Sequence, residues 1–248
     1  MSKVRAKIGG CINWLLKPYN IKISKRKPND YSKPITRSDS QRGGLSVFEK
    51  QAYLEESEFQ YILWIDRVYE KIRSVPGHVV ELGVAYGRNS IIFSRMIQLH
   101  GETATRKYFG FDTFDGYTEE TLETNPHLSG KTWKDCDRNR IEARLKRANV
   151  ERQTTLIEGD ILETVPQFLK ENPNFRCALL YVDCNAFEPS LEGMKLFQQF
   201  MSPGGVICID EKRQGGETKA LIEFCNLSGL EYKRDPGALA VPAYTIVK

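Results

Sequence analysis

Short apolar segments alternate with amphipathic segments from residue 79 to the C terminus. The apolar runs predict strands at 79–82, 108–111, 154–158, 177–182 and 206–209, with two further strands near 230–234 and 243–247. Apolar residues at three- and four-residue steps predict helices at 45–74, 90–99, 138–148, 164–171, 189–201 and 217–228. Because strands alternate with helices, the pattern predicts an α/β fold with a mostly parallel sheet and helices on both faces.

Proline and glycine mark several boundaries of these elements. Pro76-Gly77 is expected to end the first helix, and Pro203-Gly204-Gly205 predicts a turn before the fifth strand. Pro166 and Pro189 are expected in the first turns of their helices, where a missing N–H costs little. Residues 113–137 form a polar excursion in which no element is predicted.

Residues 1–44 differ in composition from the rest and predict a basic N-terminal extension and linker before a single domain over 45–248. Residues 1–42 carry eleven Lys and Arg against two Asp, whereas the whole chain is +4, so the body is mildly acidic. Such an extension could contact an anionic membrane surface or a phosphorylated carrier, or it could be a solvated tail. No aromatic residues interleave with its charges in a nucleic-acid-binding pattern, so no nucleic-acid partner is expected.

The cysteines and the hydropathy pattern exclude several classes of protein. Six cysteines without CxxC spacing predict neither a zinc site nor a disulfide framework. No apolar run approaches the roughly 20 residues that span a bilayer, and the short apolar patch near the N terminus is broken by Asn13 and Lys17 without a cleavage site after it. We therefore expect a cytoplasmic protein.

The end of the first strand carries Glu81-x-Gly83-x-x-x-Gly87, directly before a helix. Glycine allows close backbone approach and a tight entry into the helix, and the loop residues Ala85 and Tyr86, with Ser90 at the helix start, are expected to border a ligand. The G-x-G-x-x-G pattern of nicotinamide-binding loops is not met. An acid at position 81 suits a cation better than a pyrophosphate, although a plain structural turn is the alternative.

Two further acids follow the second and third strands. Asp112 is placed to accept ribose hydroxyls, as acids at this position do in dinucleotide-binding sheets. Alternatively, its carboxylate caps a helix or forms a salt bridge within a loop. Gly159 and Asp160 are placed to contact a purine edge, or Asp160 serves the turn into the next helix.

The fourth and fifth strands end in Asp183 and in Asp210-Glu211. If these strand ends are neighbours, three carboxylates meet, which is costly unless a cation compensates their charge. Oxygen ligands alone favour a hard ion such as Mg²⁺. Carboxylates that are merely exposed at the sheet edge are the alternative.

Residues 76–212 resemble the macrocin O-methyltransferase family, which are S-adenosylmethionine (SAM)-dependent sugar O-methyltransferases. The resemblance lies in PGHVVELGVAYGRNSI, GFDTFDG and YVDCNAFEPSLEGMKLFQQFMSPGGVICIDE. It implies a class I SAM-dependent methyltransferase fold with a Rossmann-like seven-stranded sheet. It also implies that Glu81, Gly83, Asp112, Asp160 and Asp183 line the SAM site. The other predicted cofactor contacts are Ala85, Tyr86, Gly87, Ser90 and Gly159. By the same resemblance Asp183, Asp210 and Glu211 bind the metal ion.

This chain departs from the family pattern at two positions. Glu211 stands where a second Asp is usual, and Asn185 stands where the family has an acid that is regarded as a metal ligand or general base. Asn cannot accept a proton, so His127, Asp115 or a metal-bound hydroxide are the candidates for that role. His127 as a plain surface residue is the alternative.

The resulting hypothesis is metal-assisted methylation of a hydroxyl on a sugar or a glycosylated small molecule, in natural-product or polysaccharide biosynthesis. Asp183 and His127 are the predicted catalytic residues, and a homo-oligomer is expected because related enzymes commonly associate. The alternatives are a SAM-dependent methyltransferase that acts on an amine, a nicotinamide-dependent oxidoreductase, and a non-enzymatic scaffold protein with a basic N-terminal arm.

Overall fold

The structure is a computed structural model, and it describes residues 56–129, 133, 136–209, 215–235 and 243–247. The predicted extension over 1–44 and the metal-binding candidates Asp210 and Glu211 lie outside these residues. No helix among the described residues combines the length and the apolar character that crossing a membrane requires.

A seven-stranded sheet forms the centre, in the order β3-β2-β1-β4-β5-β7-β6. The first five strands of this order pair in parallel, and β7 pairs antiparallel with both β5 and β6. The strands are β1 (His78–Leu82), β2 (Tyr108–Asp112), β3 (Thr154–Glu158), β4 (Cys177–Val182), β5 (Met201–Ile209), β6 (Tyr232–Arg234) and β7 (Ala243–Ile246).

The helices alternate with these strands along the chain. They are α1 (Glu56–Ile72), α2 (Arg88–Leu99), α3 (Glu119–Thr124), α4 (Arg138–Arg147), α5 (Ile161–Glu171), α6 (Phe187–Gln198) and α7 (Gly216–Ser228), with short 3₁₀ turns at Pro126–Leu128 and Glu151–Gln153. The prediction of a mostly parallel α/β sheet is confirmed.

The two largest parts of the core are apolar layers, one on each face of the sheet. All six residues of β4 are buried, as expected for a central parallel strand that is covered on both faces. On one face α5, α6 and α7 pack over Leu82, Leu180 and Ile207. On the other face α1 contributes buried side chains to a cluster with β4 and β5; these are Trp64, Ile65, Val68, Tyr69 and Ile72.

Several predicted boundaries were wrong for local reasons. Helix α5 begins at Ile161 rather than at 164, because the Asp160 carboxylate accepts a hydrogen bond from Leu162 N and caps the helix earlier; Pro166 therefore lies inside the helix. Gly204 and its neighbours lie within β5 at an irregularity in the pairing with β4, instead of forming a turn before it. Helix α6 correspondingly ends at Gln198.

The polar excursion contains an element that the sequence did not predict. Thr118 caps α3 by accepting a hydrogen bond from Thr121 N, and Glu119 and Glu120 follow in the first turn. With only six residues, α3 is too short for apolar periodicity to reveal it. Asn125, which follows this short helix, accepts a hydrogen bond from Phe187 N and so links the excursion to the start of α6.

Candidate active site

The strand order reverses between β1 and β4, and the candidate residues lie at the carboxyl ends of these strands and of β2. Leu82 is the register partner of both Phe111 and Val182, so the three strands end at one level. Ligands of open parallel sheets bind at such a switch point. The topology therefore brings Gly83, Asp112 and Asp183 to one edge.

Gly83 lets the ends of β1 and β4 approach each other. Its φ is +93°, and a Cβ there would lie 2.2 Å from the carbonyl oxygen of Asp183. The sequence had suggested that this glycine makes room for a ligand, but the space beside it is filled by the backbone of Asp183 and Cys184. Gly83 is thus required for the shape of the edge itself.

The loop after β1 turns sharply into α2. Ala85 and Gly87 both have positive φ, at +46° and +77°, and Gly87 N donates to Val84 O. A Cβ at Gly87 would lie 2.5 Å from the Ile141 side chain, so α4 packs directly against the turn. The ring of Tyr86 points outward from this turn and remains 43% exposed.

The Asp112 carboxylate holds this loop in place. Its Oδ2 accepts hydrogen bonds from Val84 N at 2.7 Å and Ala85 N at 2.9 Å, and its Oδ1 accepts from Phe114 N at 2.7 Å. The loop contact that was the alternative from the sequence is therefore present. A carboxylate has about four acceptor positions. The Thr113 hydroxyl lies 3.5 Å from Oδ1 but makes its shorter hydrogen bond to Gly116 O, so this partly exposed carboxylate can still accept a ligand hydroxyl. Its contact with ribose stays a prediction.

Asp160 caps α5, the structural role weighed against purine contact. Gly159 has a φ of +136°, and its N–H donates to Asp112 O at 3.0 Å, which ties the end of β3 to the end of β2. Contact of either residue with a purine stays a prediction.

Glu81 lies beneath the edge. Its side chain is completely buried; Oε1 accepts from Asn89 Nδ2 at 2.6 Å, and Oε2 accepts a short hydrogen bond from the Tyr108 hydroxyl. Ser90 Oγ in turn donates to the Tyr108 oxygen at 2.9 Å. Burial and the neighbouring Glu81 carboxylate raise the pKa of Tyr108 well above its ordinary value, so its hydroxyl remains a donor.

Asn89 links this buried group to the edge of the site and was missed by the sequence analysis. Its amide also lies 3.5 Å from Asp183 Oδ2, and its oxygen accepts from the Tyr61 hydroxyl at 2.7 Å. Tyr61 Oη lies 2.9 Å from the hydroxyl oxygen of Tyr181. One side chain on α2 thus joins the ends of β1 and β4 to α1. Its position directly after the glycine-rich turn was the available signal.

A second buried carboxylate, which the sequence did not single out, contacts the segment after β4. Glu217, in the first turn of α7, accepts a short hydrogen bond from Asn185 N. Asn185 has a φ of +59°, and this bond stabilises its left-handed conformation. Burial chiefly raises the pKa of the neighbouring Cys184 thiol above its ordinary range, and Glu217 raises it further.

The excursion folds over this segment. Asn125 Oδ1 accepts a hydrogen bond from Phe187 N at 3.0 Å. His127 Nε2 lies 3.4 Å from the carbonyl oxygen of Asn185, and the imidazole is otherwise exposed. The structure therefore places His127 beside the segment that follows Asp183. Asp115, the other proposed proton acceptor, is exposed within the excursion.

Three aromatic side chains gather at the same edge. The rings of Tyr86 and Trp133 have centroids 5.7 Å apart, with planes at 59°. Trp133 Nε1 donates to the Tyr117 oxygen at 3.0 Å. Burial chiefly raises the pKa of Tyr117; the Trp133 hydrogen bond opposes this effect, while Cys184, Glu217 and Asp183 add to it. The Tyr117 hydroxyl therefore lies within electrostatic reach of both carboxylates.

The metal prediction concerns Asp183, Asp210 and Glu211, of which the structure describes Asp183 alone. Among the described residues, no three metal-binding side chains are close enough to hold an ion. The register pairs Val182 with Ile209, so the chain leaves β4 and β5 at neighbouring positions.

Comparison with known proteins agrees with this geometry. A family model described as a methyltransferase domain matches residues 80–211. A curated relative, the 8-demethyl-8-(2,3-dimethoxy-alpha-L-rhamnosyl)-tetracenomycin-C 4'-O-methyltransferase of Streptomyces olivaceus, is 29% identical over 144 residues, which are 55% of this chain and 53% of that protein. The match thus spans about half the length of the relative.

Solved structures have the same architecture. CalS11, a calicheamicin methyltransferase, superposes with a TM-score of 0.67 at 25% identity over 86% of each chain. A second CalS11 structure, described as an apo TDP-rhamnose 3'-O-methyltransferase, gives 0.62 at 25% identity over 86% of this chain and 88% of that one. The O-methyltransferase NovP, at 16% identity, gives 0.63 over 75% and 79% and supports the fold alone. The family resemblance and the class I fold predicted from the sequence are confirmed, and the chain belongs to the methyltransferase-domain family, whose cofactor is SAM.

Proposed function

We propose that this protein transfers the methyl group of SAM to a hydroxyl of a sugar or a glycosylated small molecule. The observation that carries this proposal is the agreement between two relatives: one methylates a rhamnosyl group and the other is described as a TDP-rhamnose methyltransferase. Methyltransferase membership does not support the nicotinamide-dependent alternative.

The residues at the edge fit SAM. Asp112 has remaining acceptor capacity for a ribose hydroxyl, and the loop from Val84 to Gly87 is held against it by two backbone hydrogen bonds. When bound, the cofactor supplies a methyl group on a sulfonium, which a nucleophile attacks in line. The completely buried Glu81 carboxylate would stabilise that positive charge from below, since charges interact more strongly in a low-dielectric interior.

The acceptor hydroxyl needs a group that orients it and takes its proton. Asp183 is partly exposed at the end of β4, next to the switch point, and is our candidate for orienting the hydroxyl. His127, beside Asn185, is our candidate for the proton acceptor.

A divalent metal ion is the finer part of the proposal. Asp183, together with Asp210 and Glu211, would hold it, because carboxylate oxygens are the ligands that hard cations prefer. When bound, such an ion would lower the pKa of an acceptor hydroxyl. The neighbouring positions of Val182 and Ile209 support this ligand set.

The first experiment is a mass-spectrometric screen of methyl transfer from SAM to nucleotide sugars, simple rhamnosides and amino sugars. We expect one sugar hydroxyl to exchange its hydrogen for a methyl group, a net mass gain of one CH2. Transfer confined to an amine would replace the hydroxyl acceptor with an amine, and no transfer to any sugar would refute the sugar assignment.

The metal is tested on the same assay with the full-length protein. Prolonged treatment with EDTA should abolish turnover, and added Mg²⁺ should restore it. Asp183→Asn should lower kcat by at least about a hundredfold, as expected for the loss of a group that acts in the transition state, while the Kd for S-adenosylhomocysteine stays within threefold. Full activity in EDTA would refute a role for the metal ion.

Contact of residues 1–44 with an anionic membrane or carrier remains a prediction, as does homo-oligomerisation.

A further inference from the structure

Tyr86, Tyr117 and Trp133, here called the aromatic platform, come from two loops that meet above the switch point. Tyr86 belongs to the loop after β1, whereas Tyr117 and Trp133 belong to the excursion after β2. The contact between the Tyr86 and Trp133 rings joins the two loops. An exposed tyrosine ring beside a tryptophan is a surface that a ligand with an apolar face can cover.

Hydrogen bonds within the protein hold two parts of the platform in place. The indole N–H of Trp133 is used by Tyr117, which limits rotation of the indole. The Tyr86 carbonyl accepts a hydrogen bond from Arg144 Nη1 at 2.9 Å, which anchors the backbone beneath the ring. Rigid aromatic surfaces lose little conformational entropy on binding.

Hydrogen-bonding groups follow the neighbouring strand end. Asp183 comes directly after β4, whose end pairs with that of β1, and His127 lies beside the Asn185 carbonyl on the same segment. The charges of Glu217 and Asp183 add to the raised pKa of Tyr117. A pyranose ring has the complementary chemistry. Its C–H groups form an apolar face that suits the negative face of an aromatic ring, and its hydroxyls project from the rim toward acceptors.

We propose that the aromatic platform is the acceptor subsite and binds the C–H face of a pyranose ring, so that the rim hydroxyls of the sugar face Asp183. This inference rests on the proposed function and deepens it. It gives the Tyr86 ring a role in acceptor binding, whereas the sequence had suggested contact with the cofactor. The Tyr86 backbone remains part of the cofactor loop.

The test compares Trp133→Ala and Tyr86→Ala with Tyr232→Ala, an exposed tyrosine on the far edge strand β6. Saturation-transfer difference NMR with methyl α-L-rhamnopyranoside and saturating S-adenosylhomocysteine reports sugar C–H protons that lie against protein rings. The wild type and Tyr232→Ala should give signals from one face of the sugar. Both platform variants should lose most of this signal, and Trp133→Phe should retain part of it.

Kinetics and calorimetry distinguish acceptor binding from cofactor binding. Each alanine variant should raise the acceptor KM about tenfold, with kcat and the Kd for S-adenosylhomocysteine within twofold of the wild type. Tyr86 is exposed, so its variant is expected to fold, and circular dichroism checks this.

The outcomes separate the two proposals. An unchanged acceptor KM in both alanine variants overturns the platform while leaving sugar methylation intact. A tenfold loss of S-adenosylhomocysteine affinity with unchanged KM also overturns it, because the rings would then serve the cofactor. If no sugar is methylated or gives an NMR signal with the wild type, the proposed function fails and the platform fails with it.

Discussion

The hydroxyl of Tyr108 is the most informative single group to remove. It donates to Glu81 Oε2 and accepts from Ser90 Oγ, and all three residues are completely buried. Tyr108→Phe keeps the ring, which packs near Phe93, and removes the oxygen alone. The change therefore isolates the polar network beneath the switch point from the surrounding apolar core.

The expected cost follows from the two lost partners. Loss of a hydrogen bond to a buried carboxylate costs about 1.5–3 kcal/mol, and an orphaned serine hydroxyl adds about 1 kcal/mol. The free energy of unfolding should thus fall by about 2.5–4 kcal/mol. For a domain of this size, each kcal/mol corresponds to about 2–4 °C in Tm, so we expect a decrease of roughly 5–16 °C.

Urea unfolding followed by circular dichroism at pH 7 measures this difference. Tyr232→Phe on the exposed strand β6 is the matched control and should change the unfolding free energy by less than about 0.5 kcal/mol. A double-mutant cycle with Glu81→Gln should give a coupling of about 1–3 kcal/mol. A Tyr108→Phe protein as stable as its control would show that the buried network contributes no net stability.

Three further predictions follow from the same structure. In Gly83→Ala, the new Cβ would lie 2.2 Å from the backbone oxygen of Asp183. The variant should therefore be less stable or fail to bind S-adenosylhomocysteine in calorimetry. A stable variant with normal binding would contradict the close approach of the β1 and β4 ends. Burial, followed by the neighbouring cations Arg106 and Lys107, lowers the pKa of His78 below its ordinary value of 6.5. As the pH falls, His78 is therefore protonated at a higher pH in the unfolded state than in the folded state. The free energy of unfolding should decrease as the pH falls below about 6.5. His78→Asn should flatten this dependence in urea titrations between pH 7.5 and 5, and an unchanged slope would refute the assignment. Burial chiefly raises the pKa of the Cys184 thiol, so little of the reactive thiolate is present at pH 7.5. Peptide mass spectrometry should therefore show that Cys184 resists iodoacetamide in the folded protein and reacts after denaturation. Rapid labelling of the folded protein would contradict this.

The alternation of strands and helices was predictable because the apolar periodicity of each element is local. Thr154–Glu158 and Cys177–Val182 have the predicted bounds. The bulged start of β5 was not predictable, because Pro203-Gly204-Gly205 has turn chemistry and only pairing with β4 extends the strand through it. Tertiary contacts override local preference at such positions.

The same distinction applies to the site. Strand-end acids such as Asp112 and Asp183 could be found because the topology alone brings strand ends together. Glu217 could not, since it is a polar residue on a helix and its burial depends on how that helix packs. For Asn89 the only signal was its position directly after the glycine-rich turn, because its burial depends on packing in the same way. Asn89 in particular accepts its hydrogen bond from Tyr61, which is 28 residues away in the chain.

The packing of α1 has a practical consequence for where this protein can be cut. The family match begins at residue 80, after α1 has ended. An expressed fragment that starts there would expose the apolar layer that Trp64 and Tyr69 cover, and Asn89 would lose the hydroxyl of Tyr61. We therefore expect the smallest fragment that folds to include α1, although the family match does not reach this helix.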